Sequence, residues 1–342
     1  MKLRTLFFAL SVLLVIFFAC SPDDPDFIPV EDRDRTEQQV ADNDSIVNYL
    51  QAYYYNKTEL ASISNPSPSD IKLKTFSGTP DEGYSLLFAD DNLLTRTTTF
   101  EDTEYTYYIL KINQGGGDES PEFTDRVRVE YEGSLVTDAS VFDSAVTPTD
   151  FNLVGFGVGT GVITGWQRVF TEFNVAASFT TGANVEYDNY GLGVMFLPSG
   201  LAYFSSQLVG IPSYSNLIFK FSLFQTEEND HDGDGIPSFI EDLNSDLSVF
   251  DEDTDEDNIV NYVDPDDDGD GVSTRNELKP MTYTINVGDP DPPFGNNEYV
   301  VSRSEEGSVI TIETLIAEDS NNNGTLDYLE EEVAIDNSGE DE

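Results

Sequence analysis

Between Glu227 and Glu277 the sequence sets twenty Asp and Glu residues against a single base, Arg275. So dense a run of like charge cannot collapse on itself, because each carboxylate brought inward loses hydration and meets another carboxylate. It either stays expanded in solvent or folds around a cation that supplies the missing charge. The run is also ordered. Four stretches repeat one spacing: Asp or Asn at positions 1, 3 and 5, Gly or Asn at position 6, and an acid at position 12. The first is Asp230, Asp232, Asp234, Gly235, Ile236, Ser238 and Glu241; the second is Asp253, Asp255, Asp257, Asn258, Ile259, Asn261 and Asp264. The third is Asp266, Asp268, Asp270, Gly271, Val272, Thr274 and Glu277; the fourth is Asp319, Asn321, Asn323, Gly324, Thr325, Asp327 and Glu330.

Calcium takes about six to eight hard oxygen ligands at about 2.3–2.6 Å. Alternate carboxylates on a tight loop converge on one point, and Gly or Asn at position 6 tolerates the left-handed turn that brings them there. Position 7 (Ile236, Ile259, Val272, Thr325) offers its carbonyl, its Ile or Val side chain points to a small core, and the acid at position 12 closes the sphere. The pattern resembles EF-hand loops and the packed acidic repeats of thrombospondin type 3. Asp264 stands almost beside Asp266, which leaves no room for flanking helices and favours the thrombospondin-like arrangement. The resemblance implies structural Ca2+, with the first and third loops carrying the fullest ligand sets and the fourth the fewest charges. His231, at position 2, reads as a solvated spacer. The competing reading is a solvated acidic tail.

The rest of the composition narrows the chemistry. A formal net charge of −50 excludes nucleic acid as a partner, since phosphate binding needs clustered Lys and Arg. One His and one Cys exclude a disulfide within the chain and a Cys/His zinc site, and leave only His231 for a Ser-His-Asp unit. The 23 Phe and 17 Tyr in 342 residues supply cores for two domains.

Lys2 and Arg4 precede an apolar stretch from Thr5 to Ala19, shorter than the ~20 residues a spanning helix needs. It ends in Phe17-Phe18-Ala19-Cys20, which resembles a lipobox. That resemblance implies removal of residues 1–19, lipid on the Cys20 thiol, and an outer-membrane lipoprotein of the bacterial cell envelope, on its periplasmic or surface face. Residues 20–43 read as an acidic tether.

Asp44 and Ser45 can cap a short helix through Tyr55, with Ile46, Tyr49, Leu50 and Tyr53 on one face. From about 70 to 225 the signals are β: Tyr105 to Ile112, the alternation from Arg126 to Tyr131, and Leu217 to Phe224. Gly115-Gly116-Gly117 is a turn between strands. The change of composition near 227 divides residues 44–226 from an acidic region, 227–342. Within that region, Thr282 to Val287 and Ser308 to Thr314 read as strands around a turn from Asp289 to Asn297.

Five pieces in order carry a family resemblance: Val127-Arg128-Val129-Glu130-Tyr131-Glu132-Gly133-Ser134-Leu135, Val141-Phe142-Asp143-Ser144, Gly161-Val162-Ile163-Thr164-Gly165-Trp166, Leu201-Ala202-Tyr203, and Ile211 through Phe219. From about Tyr107 to Gln225 the chain resembles FKBP-type peptidyl-prolyl isomerases. The resemblance implies an α+β fold, a twisted antiparallel sheet wrapped around one short helix that Trp166 opens. It implies a pocket lined by Tyr131, Phe142, Val162, Ile163, Trp166, Tyr203, Ile211 and Phe219, with Phe151 a further wall aromatic. The Ile163 N–H and the Tyr203 hydroxyl would bond substrate carbonyls, and Asp143 would face Tyr131 or the twisted carbonyl. The implied partners are proline-containing polypeptides, and catalysis on this plan needs no cofactor. The chain departs from the family at Ala145-Val146-Thr147, at Gly161, and in about fourteen extra residues between Trp166 and Tyr203, all at the pocket rim. Two other readings stay open: a proline-peptide-binding module without turnover, and a calcium-stiffened structural lipoprotein.

Overall fold

The computed structural model describes residues 31–339 apart from 158, 183 and 184. The apolar leader, Cys20 and the first part of the tether therefore lie outside the described residues. Residues 31–34 end an N-terminal unit and hold no regular element; Arg35 to Glu342 form the other unit. Among the described residues no helix is long and apolar enough to cross a membrane.

A six-stranded antiparallel sheet organises this unit. Its strands are β1 (Leu93–Phe100), β2 (Thr103–Asn113), β3 (Arg126–Leu135), β4 (Val141–Asn152), β5 (Gly191–Leu197) and β6 (Leu217–Glu227), in the spatial order β1-β2-β5-β6-β3-β4. Successive side chains on a strand point to opposite faces, and both faces of the central strands are buried. On the front, Tyr107, Ile109, Val129, Tyr131, Phe219 and Phe221 meet the short helix α2 (Thr164–Phe170) through Trp166, Val169 and Phe170. On the back, Tyr108, Leu110, Val194, Phe196 and Ile218 meet Ile46, Tyr49 and Leu50 of helix α1 (Arg35–Ala52). The expected α+β class holds: an antiparallel sheet packs on one short helix, with a second helix laid on its other side.

Helix α1 spans Arg35–Ala52, so it starts nine residues before the expected cap at Asp44 and takes in the end of the expected tether. The early turns are polar, yet Gln38, Gln39 and Asp42 are buried. Asp42 accepts from the Ser199 N–H (2.8 Å) and hydroxyl (2.6 Å), and the Gln38 amide donates to its other oxygen at 2.7 Å. Arg35 donates to the Tyr105 hydroxyl at 3.1 Å and lies over the Phe204 ring. Hydrogen bonds to distant residues bury this stretch, and apolar periodicity cannot register them. The extra residues after Trp166 form a small hairpin, Ser178–Thr180 with Glu186–Asp188.

The change in composition near residue 227 is not a gap in the structure. Strand β6 runs through Glu227, and the acidic region returns to the sheet domain, where Val249 and Tyr262 pack on Phe123 and Val154. Its insert is a three-stranded sheet of β7 (Lys279–Asn286), β8 (Glu298–Glu306) and β9 (Val309–Ile316), with β9 central. The expected turn holds, but β8 was not expected. It is an edge strand with almost no apolar alternation and is held by its ladder to β9. The insert supplies Leu315, which with Leu278, Ala317 and Tyr328 encloses Ile236 of the first acidic loop.

Replacing Asp42 by Ala leaves the buried Ser199 hydroxyl without its 2.6 Å acceptor. The expected cost is about 1–3 kcal/mol in urea denaturation. Val40→Ala, on the exposed side of the same helix, is expected to change stability by less than about 0.5 kcal/mol.

Candidate active site and candidate metal loops

The aromatic residues singled out above come together on the front of the sheet. Trp166 lies 5.0 Å from Tyr131, 5.3 Å from Phe219 and 5.6 Å from Phe151, ring centre to ring centre, all close to edge-on. Phe142 stands 5.6 Å from Phe219, also edge-on. Val162, Ile163, Tyr203 and Phe142 pack partly buried against this cluster, and Ile211 is buried in it. Two glycines make the approach feasible. A Cβ on Gly133 would come within 2.7 Å of both the Phe142 and Phe219 rings, and one on Gly165 within 2.5 Å of Leu197. Register puts Gly133 directly opposite Phe219.

Few polar groups border this cluster. The Tyr131 hydroxyl donates to Asp143 Oδ2 at 2.6 Å, and Asp143 Oδ1 accepts the Ser144 N–H at 2.8 Å. Burial, then the Asp143 carboxylate, raises the Tyr131 hydroxyl far above its ordinary value, and the same two causes raise that of Tyr203. Both phenols are therefore neutral donors. Among the described residues the Tyr203 hydroxyl and the Ile163 N–H make no hydrogen bond, and the buried Trp166 Nε1 has no partner. Ile163 has extended backbone at the start of α2, where a first-turn N–H lacks a helical acceptor. Leu208 and Ile211 exchange backbone bonds across a tight turn, which leaves Val209 fully exposed and sets the next residue, Gly210, close to Phe142.

The acidic region holds the segment that leads into the cleft. The Tyr262 hydroxyl donates to the Gly155 carbonyl (3.0 Å) and accepts the Gly157 N–H (2.7 Å). His231 is not a solvated spacer. Its Nε2 lies 3.1 Å from the Val154 carbonyl, its Nδ1 lies 2.8 Å from the Ser238 hydroxyl, and its ring packs edge-on against Phe156 and Tyr262. A carbonyl only accepts, so Nε2 carries the proton and Nδ1 accepts from Ser238. Val154 in turn bridges to Gly161, next to Val162 and Ile163.

The four acidic loops share one hydrogen-bond plan. The N–H of position 5 donates to the carboxylate or amide oxygen of position 3, at 2.9–3.2 Å. That of position 7 donates to position 5, at 2.6–2.8 Å. A feature absent from the sequence template also recurs: the N–H of position 2 (His231, Thr254, Asp267, Ser320) donates to the side chain of position 9, at 2.9–3.1 Å. At positions 3 and 5 of the first and third loops these bonds use one carboxylate oxygen and leave the other buried without a partner among the described residues, whereas both oxygens of Asp230 and of Asp319 accept backbone N–H groups. Asp230, Asp232 and Asp234 converge, as do Asp253, Asp255 and Asp257, and Asp266, Asp268 and Asp270. At position 12, Glu241 and Glu277 are buried with both oxygens unpartnered among the described residues, and Asp264 is buried.

Burial first, then neighbouring carboxylates, pushes Asp232 up to about 7, Asp234 to about 8 and Glu277 to about 9, and raises Glu241 well above the usual range. Each such charge opposes folding as pH rises through its folded-state value, unless a cation answers it. Bare inward oxygens, oxygen-only donors and no base among them fit a hard divalent cation. The fourth loop differs. Its Glu330 already accepts from the Asn321 and Asn323 amides, at 3.0 and 2.5 Å, and positions 3 and 5 are Asn rather than Asp. The expectation for the Ile and Val side chains at position 7 also holds only in part: Ile236 is fully buried, Val272 is half-buried and Ile259 is 43% exposed.

A fifth turn of the same design escaped the template. Leu247 N–H donates to Asp242 Oδ2 (2.8 Å), Asp246 N–H to Asn244 Oδ1 (2.9 Å), and Ser248 N–H to Asp246 Oδ1 (2.8 Å). Its sixth position is Leu247 rather than Gly or Asn, forced to a φ of 67°. The signal was Asp242-x-Asn244-x-Asp246, in phase with the end of the first loop at Glu241.

Comparison with known proteins adds the following. A family model described as BamM C-terminal matches residues 231–300, the first acidic loops and the start of the insert. No curated protein matches the chain. Among solved structures, FkpA from Escherichia coli is similar at 24% identity and a TM-score of 0.30 over 41% of this chain, which spans about half (53%) of that one. A peptidyl-prolyl cis-trans isomerase from Pseudomonas syringae is similar at 16% identity and a TM-score of 0.33, over 58% of this chain and 100% of its own. These superpositions are loose, and the functional reading below rests on the residues of this chain.

Trp166 is the sole tryptophan and reports on the cleft directly. Gly133→Ala is expected to push the Phe142 and Phe219 rings apart, cost about 1–3 kcal/mol and shift Trp166 emission to the red. Unchanged emission and stability would mean that the rings do not close over residue 133.

Proposed function

We propose that the sheet domain, residues 93–227, catalyses cis-trans isomerisation of X-Pro bonds in exported or surface polypeptides. In this reading Cys20 carries a lipid anchor to the bacterial envelope, and bound calcium keeps the acidic region folded. The observation that carries the reading is the edge-on aromatic cluster around Trp166, with the Ile163 N–H and the Tyr203 hydroxyl of its partly buried margin unengaged among the described residues.

An X-Pro amide is planar because resonance gives its C–N bond double-bond character, and rotation meets a barrier of about 18–20 kcal/mol. In the twisted state that resonance is lost and the amide is less charge-separated. An apolar box therefore favours the twisted amide over the planar one, and each ~1.4 kcal/mol of preference gives about tenfold in rate. The Ile163 N–H and the Tyr203 hydroxyl fix the flanking carbonyls. The Tyr131–Asp143 pair holds the wall and keeps a carboxylate near the turning carbonyl carbon. Exposed Val209 and Leu208 at the rim suit an unfolded client chain.

When bound, calcium neutralises Asp230, Asp232, Asp234 and Glu241 in the first loop and their counterparts in the second and third. That keeps His231 and Tyr262 seated on residues 154–157, the approach to Val162 and Ile163.

The deciding experiment is proline-limited refolding of a model substrate by the full-length chain. Acceleration is expected, with Phe142→Ala lowering kcat/KM about tenfold or more and Tyr203→Phe by a smaller factor. No acceleration, or a Phe142→Ala chain as active as its parent, sinks the enzyme reading; peptide binding without acceleration would point to a binding module. For the acidic region, EGTA is expected to lower the melting temperature by roughly 5 °C or more. An unchanged melting curve would remove the calcium reading.

A further inference from the structure

Three carboxylates from two different loops meet in the interior of the acidic region. Asp234 and Glu241 belong to the first loop, Asp267 to the third, and one oxygen of each lies within 4.8 Å of the others. Their residues are 2%, 1% and 1% exposed. Asp234 Oδ2, both Glu241 carboxylate oxygens and Asp267 Oδ1 have no hydrogen-bond partner among the described residues. We propose that Asp267 is a ligand to a divalent cation, calcium by its all-oxygen donor set, whose other protein ligands are Asp234 and Glu241, so that one ion ties the first loop to the third.

Asp267 does not belong to the ligand template of its own loop. It occupies position 2, where the other template loops carry His231, Thr254 and Ser320, none of them an acid. Its side chain is set by Thr274, whose hydroxyl donates to Asp267 Oδ2 at 3.2 Å and accepts the Asp267 N–H at 3.1 Å. Asp234 is set the same way, with Oδ1 accepting the Ile236 N–H at 2.7 Å. In both residues the satisfied oxygen fixes the rotamer and the bare oxygen meets the others.

Three dry carboxylates require neutralisation by protons or by a cation. Shared protons would draw the carboxyl oxygens into hydrogen bonds with one another, and no such bond joins these three among the described residues. A calcium ion at about 2.3–2.6 Å from each oxygen allows ligand oxygens to stand up to about 5 Å apart. The observed spacing falls within that limit. Arg275, the base nearest the first loop, donates instead to the Gly233 carbonyl at 3.5 Å.

This inference rests on the calcium reading of the acidic region, and the test separates the two. The full-length chain is stripped with EGTA and titrated with CaCl2 by calorimetry, alongside thermal melts. Asp267→Asn is expected to weaken one calcium site at least tenfold, leave the fourth-loop site unchanged and shrink the calcium-induced rise in melting temperature. In EGTA the same variant is expected to melt above its parent, because a buried charge is gone. Thr274→Val, which keeps the carboxylate but frees it, is expected to weaken the same site by a smaller factor, and covers the case in which Asn at 267 prevents folding. Parent-like binding and melting in both variants would overturn the shared site while leaving calcium binding intact. A parent chain that binds no calcium would overturn both.

Discussion

One sheet has to be covered on two faces, and most of the molecule follows from how that is done. Side chains of β2, β5 and β6 alternate between two apolar layers, so neither layer can be left to water. Helix α1 takes the back with Ile46, Tyr49 and Leu50. That leaves the front to α2, a helix of seven residues that covers only part of it. Beyond the helix the front is bordered by Phe142, Phe151 and Tyr203, which are only partly buried, and by the buried Ile211.

The acidic region obeys the opposite constraint. Apolar groups gain by leaving water, whereas carboxylates lose by it unless something of opposite charge is waiting. At positions 3 and 5 the loops turn one oxygen onto a backbone N–H, and in the first and third loops the other oxygen is buried and unpartnered among the described residues, an arrangement that costs desolvation. The surrounding apolar contacts are small: Ile236 against Leu278, Leu315 and Tyr328, and Tyr262 against Val249 and Phe123. Clusters of this size would not hold so many like charges on their own. The insert supplies the Leu315 side of the first cluster.

The two parts are joined where it matters for the cleft. Tyr262 and His231 hold residues 154–157, and the chain then passes through the Val154–Gly161 bridge to Val162 and Ile163. Whatever orders the first and second acidic loops therefore also steadies the approach to the Ile163 N–H.

Much of this could be read from the sequence, because local spacing carried it. The β alternation around Tyr131 and the apolar face of Ile46, Tyr49 and Leu50 lie where their patterns indicated, and the aromatic set that the resemblance implied gathers around Trp166. So do the converging acids of the first three loops, since a tight loop of alternate carboxylates has few other shapes. What spacing cannot encode is which buried polar group answers a distant one. The early turns of α1 depend on Asp42 meeting Ser199, the inward turn of His231 on the Val154 carbonyl, and the fifth acidic turn on a strained Leu247 that no template includes. Asp267 meets Asp234 and Glu241 only because the third loop folds back on the first. Local order came from side-chain size, charge and period along the chain; these pairings came from desolvation, which acts only once remote segments have been brought together.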